Sequence, residues 1–214
     1  MIRIVIADDH AIVREGLKRI VSSVDGLQVV GEAADGTEVM QRVRELSFDV
    51  LMLDLSMPGR SGMELIRLVR AEKPKLRILV LSMHQELQYA VRAIKSGASG
   101  YLTKESAPAQ LEQAIRKIAA GGAFISAEVA EQLALGAMPG SEVSPQESLS
   151  NREFEVFRLL VDGVTVTDIA ARLSLSVKTV STHKVNLMQK LGLQNQNDLI
   201  RYALKQGFAD RLEP

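Results

Sequence analysis

The sequence predicts two domains of different class: an α/β domain with a doubly wound, five-stranded parallel sheet, then a small all-α domain of four helices. Two observations indicate the first domain. Short uninterrupted apolar runs are typical of strands buried on both faces, and these runs alternate repeatedly with helical stripes. A third observation indicates the second domain, because helix start and stop signals follow one another after about residue 149. A chain of 214 residues is long enough for both.

Five apolar runs predict the strands of the first domain. These runs are Arg3–Ala7, Gln28–Ala33, Val50–Asp54, Ile78–Ser82 and Gly100–Thr103. Residues at helical spacing lie between them, and the last such helix, around Leu111 and Ile118, is bracketed by Pro108 and Gly121. Strands and helices that alternate in this way predict a right-handed, doubly wound sheet.

The composition changes between residues 123 and 148. A short helix is predicted at about Ser126–Leu135, and the rest of the segment is rich in Gly, Pro and Ser. The segment has no Lys or Arg and four acids: Glu128, Glu131, Glu142 and Glu147. This composition is typical of a tether. We therefore predict a first domain at 1–122, a linker with a short helix at 123–148, and a second domain at 149–214.

Capping signals predict the four helices of the second domain. Ser150 and Glu153 fit a capping box, and Leu149 and Phe154 fit the accompanying hydrophobic staple. The later helices are predicted from Thr165, from Val177 to about Leu191, and at about Gln196–Gln206. Three glycines are placed to end helices: Gly163, Gly192 and Gly207. The short turn Ser174–Ser176 between the second and third helices predicts a helix-turn-helix.

Composition excludes several kinds of site. The chain has no cysteine, which excludes disulfides, thiolate catalysis and zinc–thiolate sites. Lys plus Arg equal Asp plus Glu at 26 each, so net charge neither favours nor excludes a polyanionic partner. The first residues do not resemble a signal peptide, and no apolar stretch is long enough to span a bilayer. We expect a soluble, cytoplasmic protein with no membrane partner.

Acidic residues end two of the predicted strands. Asp8 and Asp9 follow the first strand and Asp54 closes the third, while Ser82 and Lys104 end the fourth and follow the fifth. In parallel sheets, ligands gather beyond the carboxyl ends of the strands. Carboxylates that lie close together repel one another, and a divalent cation offsets that repulsion. The pattern predicts a phosphoryl-accepting site, although an acid after a strand is more often only a turn or cap residue.

Four motifs together resemble the receiver domain of two-component response regulators, over about residues 1–120. They are Asp8-Asp9-His10, Asp54-x-x-Met57-Pro58-Gly59, Ser82 and Tyr101-x-x-Lys104. The resemblance implies a flavodoxin-like fold with Asp54 as the phosphoacceptor. It implies that Mg²⁺ is bound directly by Asp9, Asp54 and the backbone carbonyl of Ser56, and through water by Asp8. Ser82 and Lys104 would contact the phosphoryl oxygens, and Tyr101 would turn inward on activation. An ordinary aromatic residue of the sheet edge is the alternative for Tyr101.

Three further residues of this region carry weaker expectations. His10 and His84 are expected to be surface or cap residues. Glu105 follows Lys104 where many receivers have a proline after a cis bond. Because a non-proline cis bond costs about 3–4 kcal/mol, we predict a trans bond there.

The third helix of the second domain has two distinct faces. Val180, Leu187 and Leu191 form a packing stripe, and the opposite face is formed by Lys178, Ser181, Thr182, Val185 and Gln189. The segment from Ser176 to Leu193 contains three lysines and no acid. A solvated amphipathic helix would account for many such faces. The absence of acids and an exposed Val185 favour a helix that enters the major groove of DNA.

Residues 150–207 resemble the LuxR-type DNA-binding domain of NarL/FixJ-family regulators. Among the motifs that carry this resemblance are Ser150-x-Arg152-Glu153, Lys178-Thr179-Val180-x-Thr182-His183 and Lys190-Leu191-Gly192. The resemblance implies DNA-backbone contacts by Lys178, Thr179, His183 and Asn186. It implies that Ser181, Thr182 and Val185 face the bases. Many relatives carry Lys at the Ser181 position, so readout here is expected to depend on DNA shape and dimer spacing.

The leading prediction is a DNA-binding response regulator, not an enzyme. Phosphorylation of Asp54 by a sensor histidine kinase would favour a homodimer that binds promoter DNA and regulates transcription. A rival is an aspartyl-phosphate phosphohydrolase, but such enzymes need an acid two residues after the nucleophile, where this chain has Ser56. A second rival keeps the fold but binds DNA independently of phosphate.

Overall fold

The structure is a computed structural model. It describes residues 1–57, 62–83, 87–137, 145–206 and 208. The chain divides into two compact units, Met1–Ala134 and Leu135–Pro214. The division falls inside the segment 123–148, for which the sequence predicts a linker. No helix of the described ranges is long and apolar enough to cross a membrane.

The first unit contains a five-stranded parallel sheet. Its strands are β1 (Ile2–Ala7), β2 (Leu27–Ala33), β3 (Val50–Asp54), β4 (Arg77–Ser82) and β5 (Gly100–Thr103). They lie in the order β2-β1-β3-β4-β5, and every neighbouring pair is parallel. The prediction of a doubly wound α/β domain is confirmed, and three strands begin one residue earlier than the apolar runs indicated.

Helices follow the strands along the first unit. They are α1 (Ala11–Ser22), α2 (Gly36–Glu45), α3 (Gly62–Glu72), α4 (Leu87–Lys95) and α5 (Ala107–Ala119). Successive strand residues point to opposite faces, and consecutive residues of β3 and β4 are buried, which shows that both faces of the sheet are covered. On one face, Ile4, Met52 and Leu79 pack in the same core cluster as Leu111 and Ile115 of α5.

The chain after α5 returns to the sheet. The backbone nitrogen of Phe124 donates to Ser99 O at 3.1 Å, and Phe124 O accepts from Tyr101 N at 2.9 Å. Gly100 permits this approach, because a Cβ there would lie 3.1 Å from Phe124 O. Helix α6 (Ala127–Gly136) begins three residues later, so the predicted short helix is present. The first part of the predicted linker is therefore ordered against β5.

The second unit is helical, as the capping signals predicted. After a short 3₁₀ helix (Pro145–Ser148) come α7 (Asn151–Val161), α8 (Val166–Arg172), α9 (Val177–Leu191) and α10 (Gln196–Lys205). The capping box of Ser150 and Glu153 is formed in both directions. Gly163 and Gly192 have φ of +77° and +67°, which confirms that they end helices. Gly207 lies outside the described residues.

Candidate functional site

Strand pairing brings the predicted acids of the first unit together. Ala7 of β1 pairs with Leu53 of β3, so the next residues along the two strands, Asp8 and Asp54, lie side by side at the sheet edge. Each is only 1% exposed. Lys104 follows β5, and its backbone nitrogen donates to Ser82 O at 2.8 Å. The structure thus brings together residues that are up to 96 positions apart in the sequence, from Asp8 to Lys104.

Lys104 forms ion pairs with both buried carboxylates. Its Nζ lies 2.7 Å from Asp8 Oδ2 and 2.8 Å from Asp54 Oδ2. Burial lowers the pKa of Lys104, but hydrogen bonds and Coulomb attraction from Asp54 and Asp8 outweigh burial and raise it. Burial raises the pKa of Asp54, and the hydrogen bond from Lys104 only partly opposes that shift. The lysine therefore stays charged, whereas ionisation of Asp54 depends on the cations around it.

Asp9 and His10 complete the acidic cluster. His10 Nδ1 lies 2.9 Å from Asp9 Oδ1 and 3.5 Å from Asp8 Oδ1. Four residues each offer one possible metal-ligand atom, and these atoms all lie within 4.8 Å of one another: Asp8, Asp9, His10 and Asp54. Within the described part of the chain, Asp9 Oδ1 is a buried atom that accepts no hydrogen bond, while Asp8 Oδ2 is paired with Lys104 at 2.7 Å. Three carboxylates gathered at one sheet edge fit a hard divalent cation.

The remaining predicted residues of this site flank the acids. Ser56 lies in the exposed turn after β3, and its backbone nitrogen donates to Asp54 Oδ1 at 3.1 Å. Ser82 is fully buried at the end of β4, which neighbours β3. Tyr101 on β5 is 9% exposed and lines a cavity of about 590 Å³ together with Leu87 and Phe124. The tyrosine is thus already largely buried in this structure.

Two further expectations concern the loops around the site. The described residues contain no cis peptide bond, which confirms the trans bond predicted between Lys104 and Glu105. His10 is the N-cap residue of α1 with a 64% exposed side chain, in agreement with the prediction of a surface or cap position. Pro58, Gly59 and His84 lie outside the described residues.

Helix α9 carries the predicted nucleic-acid surface of the second unit. Val180 and Leu187 are fully buried, and Leu191 is 9% exposed. The side chains on the other side are exposed: Lys178, Ser181, Thr182, Val185, Asn186 and Gln189. Thr179 and His183 are half-buried, and Ser176 caps the helix by accepting a hydrogen bond from Thr179 N. Val185 is 64% exposed, so its apolar side chain is accessible on this face.

One of the three lysines between Ser176 and Leu193 contacts other residues of the second unit. Lys190 Nζ lies 2.7 Å from Glu153 Oε2 and donates to Ser148 O at 3.2 Å. Burial raises the pKa of Glu153, but hydrogen bonds from Lys190 and Ser150 outweigh burial and lower it. Sequence reasoning missed this pair because it treated Glu153 only as a capping residue. The exposed face of α9 therefore depends on Lys178 and Lys184 for positive charge.

Comparisons with known proteins agree with this arrangement. A family model described as a response regulator receiver domain matches residues 4–116, and a model described as bacterial regulatory proteins of the luxR family matches residues 147–203. The chain is 37% identical over 211 residues to the response regulator GacA of Pseudomonas viridiflava. The alignment covers 98% of this chain and 99% of GacA.

Solved structures of a related regulator are also similar. RcsB of Salmonella enterica serovar Typhimurium, bound to promoter rprA with the phosphomimetic BeF3-, is 32% identical with a TM-score of 0.69. That match covers 94% of this chain and 98% of RcsB. A structure of two RcsB dimers bound to two parallel DNAs matches with a TM-score of 0.58 and 33% identity, over 96% of this chain and 98% of that one.

Proposed function

The chain belongs to the response regulators that join a receiver domain to a luxR-type DNA-binding domain, a family of transcription regulators, and we propose that phosphorylation of Asp54 switches its binding to promoter DNA. The phosphodonor is a sensor histidine kinase, and the phosphorylated form acts as a homodimer in the cytoplasm, where promoter DNA lies. The receiver extends over 1–122, the linker over 123–148 and the DNA-binding domain over 149–214.

The observation that carries this proposal is the convergence of Asp8, Asp54 and Lys104 at one sheet edge, with ion-pair distances of 2.7 and 2.8 Å. An Asp54 oxygen forms a bond to phosphorus while the bond from phosphorus to the kinase histidine nitrogen breaks, and the histidine ring, protonated on its other nitrogen, leaves as a neutral imidazole beside the new aspartyl phosphate. A magnesium ion would be held directly by Asp9, Asp54 and the carbonyl of Ser56 and through water by Asp8, and it would offset the repulsion between the donor and the carboxylates.

Lys104 and Ser82 supply contacts that favour the phosphorylated arrangement. Lys104 already contacts Asp54, so a phosphoryl group on that residue meets a cation within reach. A hydrogen bond to a charged group contributes about 1.5–3 kcal/mol. Converting a mostly inactive ensemble into a mostly active one requires about 5.5 kcal/mol of differential affinity. Two such bonds together with the metal are therefore sufficient in magnitude for a switch.

The exposed face of α9 is the proposed DNA-binding surface. Lys178, Thr179, His183 and Asn186 contact the DNA backbone, and Ser181, Thr182 and Val185 face the bases. One short helix contacts few phosphates, so a single domain binds weakly at physiological salt. Two copies on half-sites about one helical turn apart bind better. RcsB binds promoter DNA in one of its structures and forms dimers on DNA in another. We propose the same DNA binding and dimer formation for this chain.

The experiment that tests this function measures phosphorylation of the protein and its effect on DNA binding. The full chain is incubated with acetyl phosphate and Mg²⁺, its intact mass is measured, and its binding to a promoter fragment is measured in a mobility-shift assay. We expect an increase of about 80 Da, the mass of one phosphoryl group, together with tighter DNA binding. Asp54→Ala should show neither change. DNA binding that responds equally in Asp54→Ala would contradict the proposal.

A further inference from the structure

The loop that carries Asp8 and Asp9 is fixed by hydrogen bonds from three directions. The nitrogen of Asp8 donates to Ala33 O of β2 at 3.1 Å, and the nitrogen of His10 donates to Asp8 Oδ1 at 2.8 Å. The third bond comes from a side chain, because Arg14 Nη1 donates to Asp8 O at 2.6 Å. That carbonyl belongs to the planar peptide group that joins the two acids, so a bond to it restrains the orientation of both.

Arg14 is itself held by a carboxylate. It lies in the first turn of α1, and its Nε donates to Glu32 Oε2 of β2 at 3.3 Å. Lys18 Nζ donates to the other oxygen of Glu32 at 2.7 Å. The hydrogen bond from Lys18 lowers the pKa of Glu32, and Arg14 adds to that shift, so Glu32 stays charged. Because the Arg14 side chain is only 19% exposed, its guanidinium has a defined position between β2 and the acidic loop.

Lys18 provides a comparison on the same helix. Arg14 and Lys18 each carry one positive charge and pair with Glu32. In the part of the chain that the structure describes, Lys18 contacts the carboxylates of Glu15 and Glu32, whereas Arg14 also reaches the acidic loop. The charge of Arg14 repels a cation bound by that loop, but a bond that holds the loop favours binding. The two effects of Arg14 therefore have opposite signs.

We infer that Arg14 is a positioning residue of the phosphoacceptor site, because its hydrogen bond to Asp8 O holds the loop with both acids at the sheet edge before a ligand arrives. The inference rests on the proposed function, in which Asp54 is phosphorylated with Mg²⁺ beside Asp8 and Asp9. Groups that are held in advance lose less conformational freedom when they bind. The bond from Arg14 thus favours Mg²⁺ binding and, through it, phosphorylation.

The test compares Arg14→Met with Lys18→Met in the full chain. Each variant removes one cation beside Glu32, and only the first also removes the hydrogen bond to Asp8 O. Mg²⁺ affinity is measured from the amide chemical shifts of isotope-labelled protein during a titration. We expect Arg14→Met to weaken Mg²⁺ binding by about tenfold, as is typical when a partner that orients a metal ligand is lost, and Lys18→Met to change it by less than about twofold.

Two further readouts separate positioning from stability. In the metal-free protein, hydrogen exchange of the His10 amide should accelerate in Arg14→Met and not in Lys18→Met, because that amide donates to Asp8 Oδ1 in the restrained loop. Phosphorylation by acetyl phosphate should reach the wild-type rate in Arg14→Met at saturating Mg²⁺. Its half-maximal rate should require about tenfold more Mg²⁺.

A variant that keeps the charge covers the case in which Arg14→Met does not fold. The lysine of Arg14→Lys retains a cation beside Glu32, but it lacks the second nitrogen that reaches Asp8 O. Weaker Mg²⁺ binding is therefore expected in this variant too. Melting temperatures without metal establish which variants are folded.

Other outcomes overturn the inference. Unchanged or tighter Mg²⁺ binding in the folded Arg14 variants means that Arg14 contributes no restraint that matters for the site. Equal losses in Arg14→Met and Lys18→Met mean that the effect passes through Glu32. In both cases a wild type that binds Mg²⁺ and is phosphorylated leaves the proposed function intact. A wild type that acetyl phosphate and Mg²⁺ do not phosphorylate contradicts the proposed function, and the inference fails with it.

Discussion

The ammonium of Lys104 lies 2.8 Å from Asp54 Oδ2, across a strand that separates the two residues in the sheet. The same ammonium lies 2.7 Å from Asp8 Oδ2. Because both carboxylates are almost fully buried, the lysine offsets their mutual repulsion in the metal-free chain. Lys104 is thus an internal cation of this site.

Replacing Lys104 should destabilise the metal-free protein. In Lys104→Met, two buried carboxylates remain without their cation, and loss of one partner of a buried pair costs roughly 3 kcal/mol or more. We expect the free energy of unfolding, measured in urea by circular dichroism, to fall by about that amount. Lys75→Met is the matched control, because Lys75 is exposed. Equal stability of the two variants would contradict the ion-pair account, and added Mg²⁺ should restore part of the loss in Lys104→Met alone.

The same ion pairs should make stability depend on alkaline pH. The pKa of Lys104 is raised in the folded chain, so its contribution is fully present below the ordinary value of 10.5. That contribution is lost as the pH rises through the folded pKa. Asp54 also has a raised pKa, so its ionisation lowers the free energy of unfolding as the pH rises above its ordinary value of 3.8.

The measurement is the difference in unfolding free energy between the wild type and Lys104→Met. We expect a constant difference from about pH 8 to pH 10 that shrinks above pH 10.5. A difference that stays constant to about pH 11.5 would show that Lys104 is not held charged by the two acids.

Two variants of α9 should separate affinity from sequence preference. If Lys178 contacts a phosphate as proposed, Lys178→Ala should weaken binding alike on all sequences and lower the salt slope by about 1. If Val185 faces base edges as proposed, Val185→Ala should change the preference among sites and leave binding to random DNA unchanged. Both are measured by fluorescence anisotropy on a promoter site and on random DNA at several salt concentrations. Equal losses on both DNAs for both variants would refute this division.

Lys190 of α9 should behave differently from Lys178 and Val185. Lys190 pairs with the buried Glu153, so Lys190→Met should reduce stability by about 1 kcal/mol and leave the salt slope of DNA binding unchanged. Lys184→Met on the same helix is the control for stability, since the described contact of Lys184 is a hydrogen bond from its Nζ to Gln196 Oε1 at 3.2 Å. A fall in the salt slope without loss of stability would show that Lys190 contacts DNA instead.

The local features of this protein were predictable from its sequence. All five strands occur within one residue of their predicted bounds, and the capping box of Ser150 and the helix ends at Gly163 and Gly192 occur as predicted. These features depend on interactions between residues a few positions apart, such as side-chain caps, turn conformations and hydrophobic periodicity. The motifs of the receiver and of the helix-turn-helix also indicated the family, which both family models confirm.

Only the tertiary structure decided which distant side chains meet and how. It set the bridge from Lys104 to both Asp8 and Asp54, the burial of Glu153 against Lys190, and the return of Phe124 to β5. It also turned the ring of His10 away from its helix and toward Asp9. Sequence spacing does not specify such contacts, because they join residues brought together by packing of the whole sheet and by side-chain directions that neighbouring residues alone do not fix.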